Sequence, residues 1–358
     1  MTKLKRVLMF LFLAATGPAF AEGLIIGHTN VMAVTNLPQS VMDRVAQFRW
    51  FFAHASVGEN MMDGITELHS ADATRYPLQH VSDDDGSPPA LSECTPATIY
   101  DNARGNPDWS YKVSWFEGYV SNGWRNPAVN IALNKFCWID PYVDTNTYLS
   151  SMQALEGRYP DTLFVYMTIP LTGYADTEND YRNTFNRTLR TFCSNNHRVL
   201  FDVADIESHD TNGTAYTYST TNQLMYSGFA VADGDWHLND VARPWVARGF
   251  YALGAALLTT DRDGDGMSDG EELIAGMCPT SSASVFKFEY PSNNLGNGTV
   301  ISWPSTSNRV YFLQRISNLI ASTSTNLLTN SVATPPMNCY TDSPAGAGPY
   351  FYKVGVRQ

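Results

Sequence analysis

Four apolar runs, each nine or ten residues long, are the feature that most constrains the fold of this chain. Each run is almost continuously hydrophobic rather than alternating, as expected for parallel strands that are covered on both faces. Stretches with apolar residues at three- and four-residue spacing lie between them and predict helices. The pattern therefore predicts an α/β domain, a three-layer sandwich with a mainly parallel sheet. The runs are FRWFFAHAS (48–56), VNIALNKFCW (129–138), TLFVYMTIPL (162–171) and RVLFDVADI (198–206).

The composition changes abruptly at Asp261, which predicts a domain boundary. Before it, helices are predicted over 146–160, 178–196 and 238–260. After it come an acidic loop, a Ser/Thr-rich linker and short β-like runs separated by Asn, Gly, Ser and Pro turns. We therefore predict an α/β domain over 22–260, a loop and linker over 261–283, and a small β-sandwich-like domain over 284–358.

The first 21 residues predict a secretory signal peptide. Three basic residues precede an apolar run that ends in the small-x-small site Ala19–Ala21. A membrane anchor is the disfavoured alternative, because the run is shorter than the roughly 20 residues that span a bilayer. We expect a mature chain that starts near Glu22, is secreted to the periplasm or the exterior, and has no membrane span.

Charge and cysteine content restrict the partners and the redox chemistry. A net charge of −12 and a pI near 4.9 argue against binding to nucleic acid or anionic lipid, which carry the same sign. The five cysteines are odd in number and widely spaced, so no disulfide framework is predicted. Cys137, within the apolar segment NKFCWID, is interpreted as a buried structural residue.

The acidic loop DRDGDGMSDGEE has the spacing of an EF-hand-type calcium loop. Counted from Asp261, carboxylates lie at positions 1, 3, 5, 9 and 12, a glycine at position 6 permits the turn, and position 7 can offer its carbonyl. A solvated acidic linker is the alternative. The predicted Ca²⁺ ligands are Asp261, Asp263, Asp265, Met267, Asp269 and Glu272.

The loop and its continuation resemble the calcium-binding segments, similar to thrombospondin type 3 repeats, that secreted bacterial enzymes place between a catalytic domain and a β-rich module. This resemblance implies a structural ion that stiffens a hinge rather than a catalytic one. Such segments usually continue as Gly-Thr-Asp-Pro, whereas this chain has Met277-Cys278-Pro279, so a further ligand there is lost or replaced.

A serine at a strand-to-helix turn and a late histidine predict a hydrolase site. Ser56 ends the first apolar run and precedes VGENMMDGITELH, a predicted helix, so its hydroxyl would lie at the carboxyl edge of the sheet. A helix N-cap is the alternative interpretation of Ser56. His237 lies in VADGDWHLND with Asp233 and Asp235 beside it. A nucleophile, a base and an orienting carboxylate are what a serine hydrolase needs, and they meet in space rather than in sequence.

These two blocks, HASVG and DGDWH, resemble the serine block and the acid-histidine block of the SGNH/GDSL hydrolase family. The resemblance is to a subgroup with His-x-Ser-Val-Gly in place of Gly-Asp-Ser, and it covers most of 23–260. It implies an esterase in which Ser56 is the nucleophile and His237 the base. The family's second block implies Gly105, with Asn106 beside it, at the oxyanion hole.

The sequence departs from the family in two blocks. Where the family has Gly-x-Asn-Asp, this chain has LNKFCWIDP, which retains Asp140 and lacks the oxyanion asparagine; Lys135 and Asn106 are the candidates to replace it. The family's acid-histidine block is Asp-x-x-His, but here a glycine lies at that offset. Asp233 and Asp235 therefore both remain candidates for the acid, with Asp235 favoured slightly.

Three further residues are candidates for substrate binding. His54 lies two residues before Ser56, and we expect it to support the loop or to line the pocket. Glu207 and His209 follow the fourth apolar run, at the edge where ligands bind in open α/β sheets. A solvated loop is the alternative for this pair. Metal catalysis there is disfavoured, because no spaced pair of histidines is present.

The leading hypothesis is a secreted serine esterase. By the resemblance, its substrates would be O-acyl groups, acetyl first, on extracellular polysaccharide. The first alternative is a non-catalytic carbohydrate-binding or surface protein that keeps the hydrolase fold. The second is an enzyme that transfers acyl groups between sugars. Hydrogen-bond contact between Ser56 and His237 discriminates the catalytic hypotheses from the non-catalytic one.

Overall fold

The computed structural model describes six stretches of the chain, namely residues 23–82, 95–121, 129–294, 298–318, 323–343 and 350–358. The predicted signal peptide and Cys94 lie outside them. Among the described helices, none is both long enough and apolar enough to span a membrane.

The centre of the fold is a seven-stranded sheet in which every pairing is parallel. The order across it is β1-β7-β6-β5-β2-β4-β3, which places β2 between β5 and β4. The strands are β1 (Leu24–Ile26), β2 (Trp50–His54), β3 (Gln79–Ser82), β4 (Thr98–Ala103), β5 (Ile131–Asn134), β6 (Leu163–Met167) and β7 (Val199–Phe201).

Helices cover both faces of this sheet. One layer contains α1, α2, α3 and α8, which contact one another, and the other contains α4, α5 and α6. The α/β class predicted from the sequence is confirmed. The helices are α1 (His28–Ala33), α2 (Gln39–Val45), α3 (Val57–Ala71), α4 (Trp109–Tyr119), α5 (Thr145–Arg158), α6 (Thr177–Asn195), α7 (Val203–Glu207), α8 (Ala242–Leu257) and α9 (Asp269–Ala275).

Strand β2 shows why the runs are continuously apolar. Trp50 and Phe52 point into the core shared with α3 and α8, whereas Phe51 and Ala53 point into the core shared with α4 and α5. Successive side chains of a strand alternate between the two faces, so a strand covered on both sides needs apolar residues at every position.

Each of the four predicted runs contains a strand, but the strands are shorter than the runs. The remaining apolar residues, such as Phe136 and Leu171, are buried in the loops at the carboxyl edge. Strand β4 was missed because its sequence, TIYDNA, contains Asp101 and Asn102, which are buried polar residues. Strand β1 was missed because it is three residues long.

The C-terminal region is antiparallel β structure, as predicted. It forms two three-stranded sheets, β10-β11-β14 and β13-β12-β15, around the buried side chains of Trp303 and Tyr311. Buried Arg309 donates hydrogen bonds to the carbonyl oxygens of Leu273 and Ile274 in α9. The strands are β10 (Glu289–Asn294), β11 (Gly298–Pro304), β12 (Val310–Asn318), β13 (Thr323–Val332), β14 (Met337–Asp342) and β15 (Phe351–Arg357).

Close contact between α3 and α8 generates a stability prediction. A Cβ on Gly64 of α3 would lie 2.2 Å from the carbonyl oxygen of Arg243 in α8, so Gly64→Ala should lower the free energy of unfolding by about 1–3 kcal/mol. Gly157 of α5 is the matched control, since no heavy atom lies within 4 Å of its added Cβ. Gly157→Ala should leave stability unchanged or raise it by up to about 1 kcal/mol. Urea unfolding of the two variants checks this, and equal effects would contradict the packing.

Candidate active site

Ser56 stands at the turn between β2 and α3, at the carboxyl edge of the central sheet. Its backbone has φ 58° and ψ −112°, a conformation that costs a non-glycine residue about 1–3 kcal/mol. It occupies the N-cap position of α3, yet its side chain makes no capping hydrogen bond. Instead, Ser56 Oγ is within hydrogen-bonding distance of His237 Nε2. The backbone is therefore that of a cap, whereas the hydroxyl points to the histidine.

The glycine two residues after Ser56 has a packing role. A Cβ on Gly58 would lie 2.3 Å from the Cβ of His54, because the first turn of α3 rests directly on the His54 side chain. This contact lets the helix begin immediately after the strand. The glycine two residues after the serine is thus a geometric requirement of the turn that presents Ser56.

His237 and Asp235 lie on one face of a short strand. Strand β9 (Asp235–Leu238) pairs antiparallel with β8 (Ala230–Ala232), and residues two apart on a strand point the same way. Asp235 Oδ1 lies 2.5 Å from His237 Nδ1, and this hydrogen bond lowers the pKa of the Asp235 carboxyl. Asn60 of α3 accepts a hydrogen bond of 3.1 Å from the Leu238 amide, which holds β9 beside the Ser56 turn.

Of the two predicted acids, the structure pairs only Asp235 with the histidine. Asp233 accepts a hydrogen bond of 3.0 Å from the hydroxyl of Tyr174, so its position as a candidate partner of His237 is corrected. The Asp-x-His spacing of Asp235 and His237 has a physical reason, since residues two apart are those that a strand brings onto one face.

Gly105 lies level with Ser56. Strands β2 and β4 pair with His54 opposite Ala103, so the residue two positions beyond each strand reaches the same height. Gly105 is exposed, has φ +75°, and would have no heavy atom within 4 Å of an added Cβ. The Gly105 amide therefore remains a candidate oxyanion donor.

Of the two candidates to replace the oxyanion asparagine, Lys135 has another partner. Lys135 is buried, and its Nζ donates to the carbonyl oxygen of Phe136 at 2.7 Å. Asn106 Oδ1 accepts from Lys112 Nζ at 3.1 Å, and the same ammonium donates to Asp140 at 2.5 Å. This bond uses the acceptor of the Asn106 amide and not its donor, so Asn106 stays a candidate.

Cys137 is a neighbour of Ser56 whose position the sequence did not indicate. Strands β2 and β5 pair with Ala53 opposite Asn134, so three residues further on Ser56 comes level with Cys137. Burial alone would raise the pKa of its thiol, but the charge of Lys135 and a hydrogen bond with Ser56 together lower it. Register arithmetic across the predicted sheet was the only signal for this contact.

His54 and Glu207 are fully buried, which corrects the prediction that they bind substrate and leaves His54 the other role expected of it, support of the loop. His54 Nε2 lies 3.0 Å from Asp101 Oδ2, and His80 Nδ1 lies 2.9 Å from the other oxygen of Asp101. Burial alone would raise the pKa of Asp101, but these two hydrogen bonds lower it to about 2. Burial raises the pKa of Glu207 to about 8, and its carboxyl accepts from the Leu171 amide.

His209 lies at the far side of the carboxyl edge. It follows α7, beyond β7, which is separated from β2 by β6 and β5. Its ring stacks on that of His28, with 3.5 Å between the centroids. Asp205 is hydrogen-bonded to Nδ1 of both rings, through a carboxylate oxygen to His28 and through its backbone carbonyl oxygen to His209. The prediction that His209 joins the site of Ser56 is corrected.

The acidic loop brings together the side chains of Asp261, Asp263 and Asp265. Asp263 Oδ2, Asp265 Oδ2 and both oxygens of Glu272 are buried and have no hydrogen-bond partner among the described residues. Burial, and then the neighbouring carboxylates, raise the pKa of Glu272 to about 9. Four unpartnered oxygens, two of them on one glutamate, fit the donor set of a hard divalent cation.

One predicted ligand of this loop has another partner. Asp269 is fully buried and its carboxylate accepts from Arg262 Nε at 2.5 Å, so the interpretation of Asp269 as an ion ligand is corrected. Met267 follows the turn at Gly266, whose φ is +99°, and its amide donates to Asp265. The Met267 carbonyl remains a candidate ligand.

Eleven chains of solved structures match this one, and two of these matches are as follows. A two-domain esterase (CEX) active on acetylated mannans is 12% identical, covers 89% of each chain and has a TM-score of 0.35. A provisionally described platelet activating factor from Streptococcus pneumonia is 11% identical, covers 60% of this chain and 92% of its own, and has a TM-score of 0.30. No protein-family profile and no curated protein matches the chain. At these scores the likenesses carry no functional argument.

The buried pair beneath the serine turn generates a pH-dependent prediction. Asp101→Asn should lower the free energy of unfolding at pH 7 by about 3 kcal/mol, since His54 loses a buried charged partner. The pKa of Asp101 is depressed in the folded state, so its contribution is complete above pH 4 and is lost as the pH falls towards 2. Urea unfolding should therefore show that the difference in unfolding free energy between wild type and Asp101→Asn becomes smaller below pH 4. Asp240→Asn, whose side chain is 91% exposed, should change stability by less than about 0.5 kcal/mol; an equal effect would contradict the assignment.

Proposed function

We propose that this protein is a serine esterase that acts through Ser56, His237 and Asp235. The observation that supports this is the unbroken row of hydrogen-bonding atoms from Ser56 Oγ through both ring nitrogens of His237 to the Asp235 carboxylate. A non-catalytic protein that had merely retained the fold would have no need to keep a strained serine opposite an oriented histidine.

The proposed reaction has two halves. Ser56 Oγ attacks the ester carbonyl while His237 Nε2 takes its proton, and Asp235 holds the ring through Nδ1 and stabilises its positive charge. The amides of Ser56 and Gly105 would receive the oxyanion. The ester C–O bond then breaks, the alcohol leaves with the proton from His237, and the acyl group stays on Ser56. Water, deprotonated by His237, releases the acid and regenerates the serine.

The proposed substrates are O-acyl groups, acetyl first, on extracellular polysaccharide. The predicted signal peptide supports an extracellular setting, and the net charge of −12 disfavours nucleic acid and anionic lipid as partners.

The triad generates a prediction about activity, in which substitution of Asp233 is the control for substitution of Asp235. Ser56→Ala and His237→Ala should each lower kcat for p-nitrophenyl acetate by at least about 10³-fold. Asp235→Asn should lower it by about 10²- to 10⁴-fold, because the ring loses its orienting carboxylate. Asp233→Asn should stay within about twofold of wild type, since Asp233 bonds to Tyr174 instead. Equal hydrolysis by wild type and Ser56→Ala would refute the proposal.

We further propose that the acidic loop binds one structural Ca²⁺. Asp261, Asp263, Asp265 and Glu272 would hold it, with the Met267 carbonyl. The buried, unpartnered oxygens of Glu272 support this, because a carboxylate without partner or counter-ion is costly to bury. The ion would stiffen the segment 261–283 between the proposed α/β domain (22–260) and the proposed β domain (284–358).

The calcium proposal predicts a stability change on chelation. Removing Ca²⁺ held at about 100 times its dissociation constant should cost about 2.7 kcal/mol and lower Tm by roughly 5–10 °C. In Glu272→Gln, the Tm measured with Ca²⁺ should equal the Tm measured with EGTA. Glu271→Gln is the control, because Glu271 is half-exposed and bonds to Arg44. Identical melting curves of wild type with Ca²⁺ and with EGTA would remove the claim.

A further inference from the structure

Large apolar side chains are exposed on the loops and helix that follow β5 and β6. They are Ile139, Tyr142, Tyr174 and Tyr181, each 44–58% exposed, and we call them the aromatic rim. Single exposed apolar residues are ordinary on a protein surface, whereas a group of them marks an interaction site. All four belong to segments that start at the carboxyl edge of the sheet, the edge that carries Ser56.

Contacts connect the rim to the triad. Trp138, which precedes Ile139, lies edge-on to His237 with ring centroids 6.2 Å apart. The Trp138 carbonyl accepts a hydrogen bond of 2.5 Å from Arg182, the residue after Tyr181. Tyr181 in turn lies 5.1 Å from Tyr142 between ring centroids.

A second set of contacts leads to the same histidine. Tyr174 lies edge-on to Trp236, the residue before His237, at 4.8 Å between centroids. Gly173 permits this contact, because a Cβ there would lie 2.4 Å from the Trp236 ring. The rim therefore contacts the His237 ring through Trp138, and it contacts strand β9 through Trp236, whose side chain lies on the opposite face of the strand from His237.

The triad itself is open. The His237 side chain is 36% exposed and that of Asp235 is 48% exposed. An acyl group carried on a long chain can reach Ser56 at such a surface without entering a tunnel. Tyrosine rings suit the rest of that chain, because each presents an apolar face to sugar C–H groups and a hydroxyl to sugar oxygens.

The charges around the rim are carboxylates. Asp176, Glu178 and Asp180 are exposed on the first turn of α6, next to Tyr181. The neighbouring cation, Arg182, is buried and bonds to Glu178. Such a surface repels a polyanion and leaves an uncharged chain unaffected.

We propose that the aromatic rim binds the backbone of a neutral polysaccharide and presents its O-acyl groups to Ser56. This rests on the proposed esterase activity and adds the substrate class and the residues that select it. Tyr142 and Tyr181 form the main sugar platform, and Tyr174 supplies a second contact on the other tryptophan.

The test compares a small ester with a polymeric one. In the Tyr142→Ala/Tyr181→Ala double variant, KM for O-acetylated xylan should rise about tenfold while kcat for the polymer and both constants for p-nitrophenyl acetate stay near wild type. Tyr142→Phe/Tyr181→Phe should restore the KM. Phe351→Ala, which removes an exposed aromatic of β15, is the control and should change nothing. An unchanged KM for the polymer, or an equal change in the control, would overturn the proposal.

A binding measurement separates this proposal from the activity. In native gels that contain O-acetylated xylan, Ser56→Ala should be retarded, and the same protein with both tyrosines replaced by alanine should not. Retardation of both proteins alike, or stronger retardation by O-acetylated polygalacturonate, would overturn the neutral-glycan assignment. So would a dimer that the tyrosine substitutions dissociate, because the rim would then be a contact between copies. If the wild-type protein did not hydrolyse p-nitrophenyl acetate at all, that result would instead refute the esterase proposal alone.

Discussion

Strand β2 is buried on both faces and hydrogen-bonded on both edges, and the position of Ser56 depends on this. Its five residues are all buried, and its register runs to His54 with β4 and to Ala53 with β5. The three strands therefore end at nearly the same height. Cys137 contacts Ser56 for this reason, and the close approach of Gly58 to His54 lets α3 begin directly after the strand.

The surroundings of the turn divide into a buried and an open half. Beneath it, ionisable side chains are buried in pairs, His54 with Asp101 and Lys112 with Asp140. Breaking such a pair is costly, so these groups fix the loops at the carboxyl edge. Above it, His237 and Asp235 lie on a short hairpin that solvent reaches. The buried half is rigid, and the histidine and aspartate above it are accessible. This arrangement suits chemistry on groups attached to a large molecule.

Sequence periodicity predicted the α/β fold, since apolar runs at strand length and helical spacing are local signals. The pair Ser56 and His237 was predicted differently, from the strand-to-helix position of the serine and from the resemblance of the blocks HASVG and DGDWH to those of a hydrolase family. These blocks left the acid open between Asp233 and Asp235, as the choice depends on the strand conformation of β9. Glu207 was misplaced, and the role of His54 was left open, because burial of a polar side chain depends on partners distant in sequence. Asp101 and the Leu171 amide, which supply these partners, carry no local signature.

Covalent labelling tests the central claim most directly. A fluorophosphonate reacts only with a serine whose hydroxyl is activated by a base, so mass spectrometry of the treated protein reads the chemistry of one residue. The account predicts a single adduct on the peptide that contains Ser56, its loss in His237→Ala, and its retention in Asp233→Asn. An unlabelled protein, or an adduct on another serine, would contradict it.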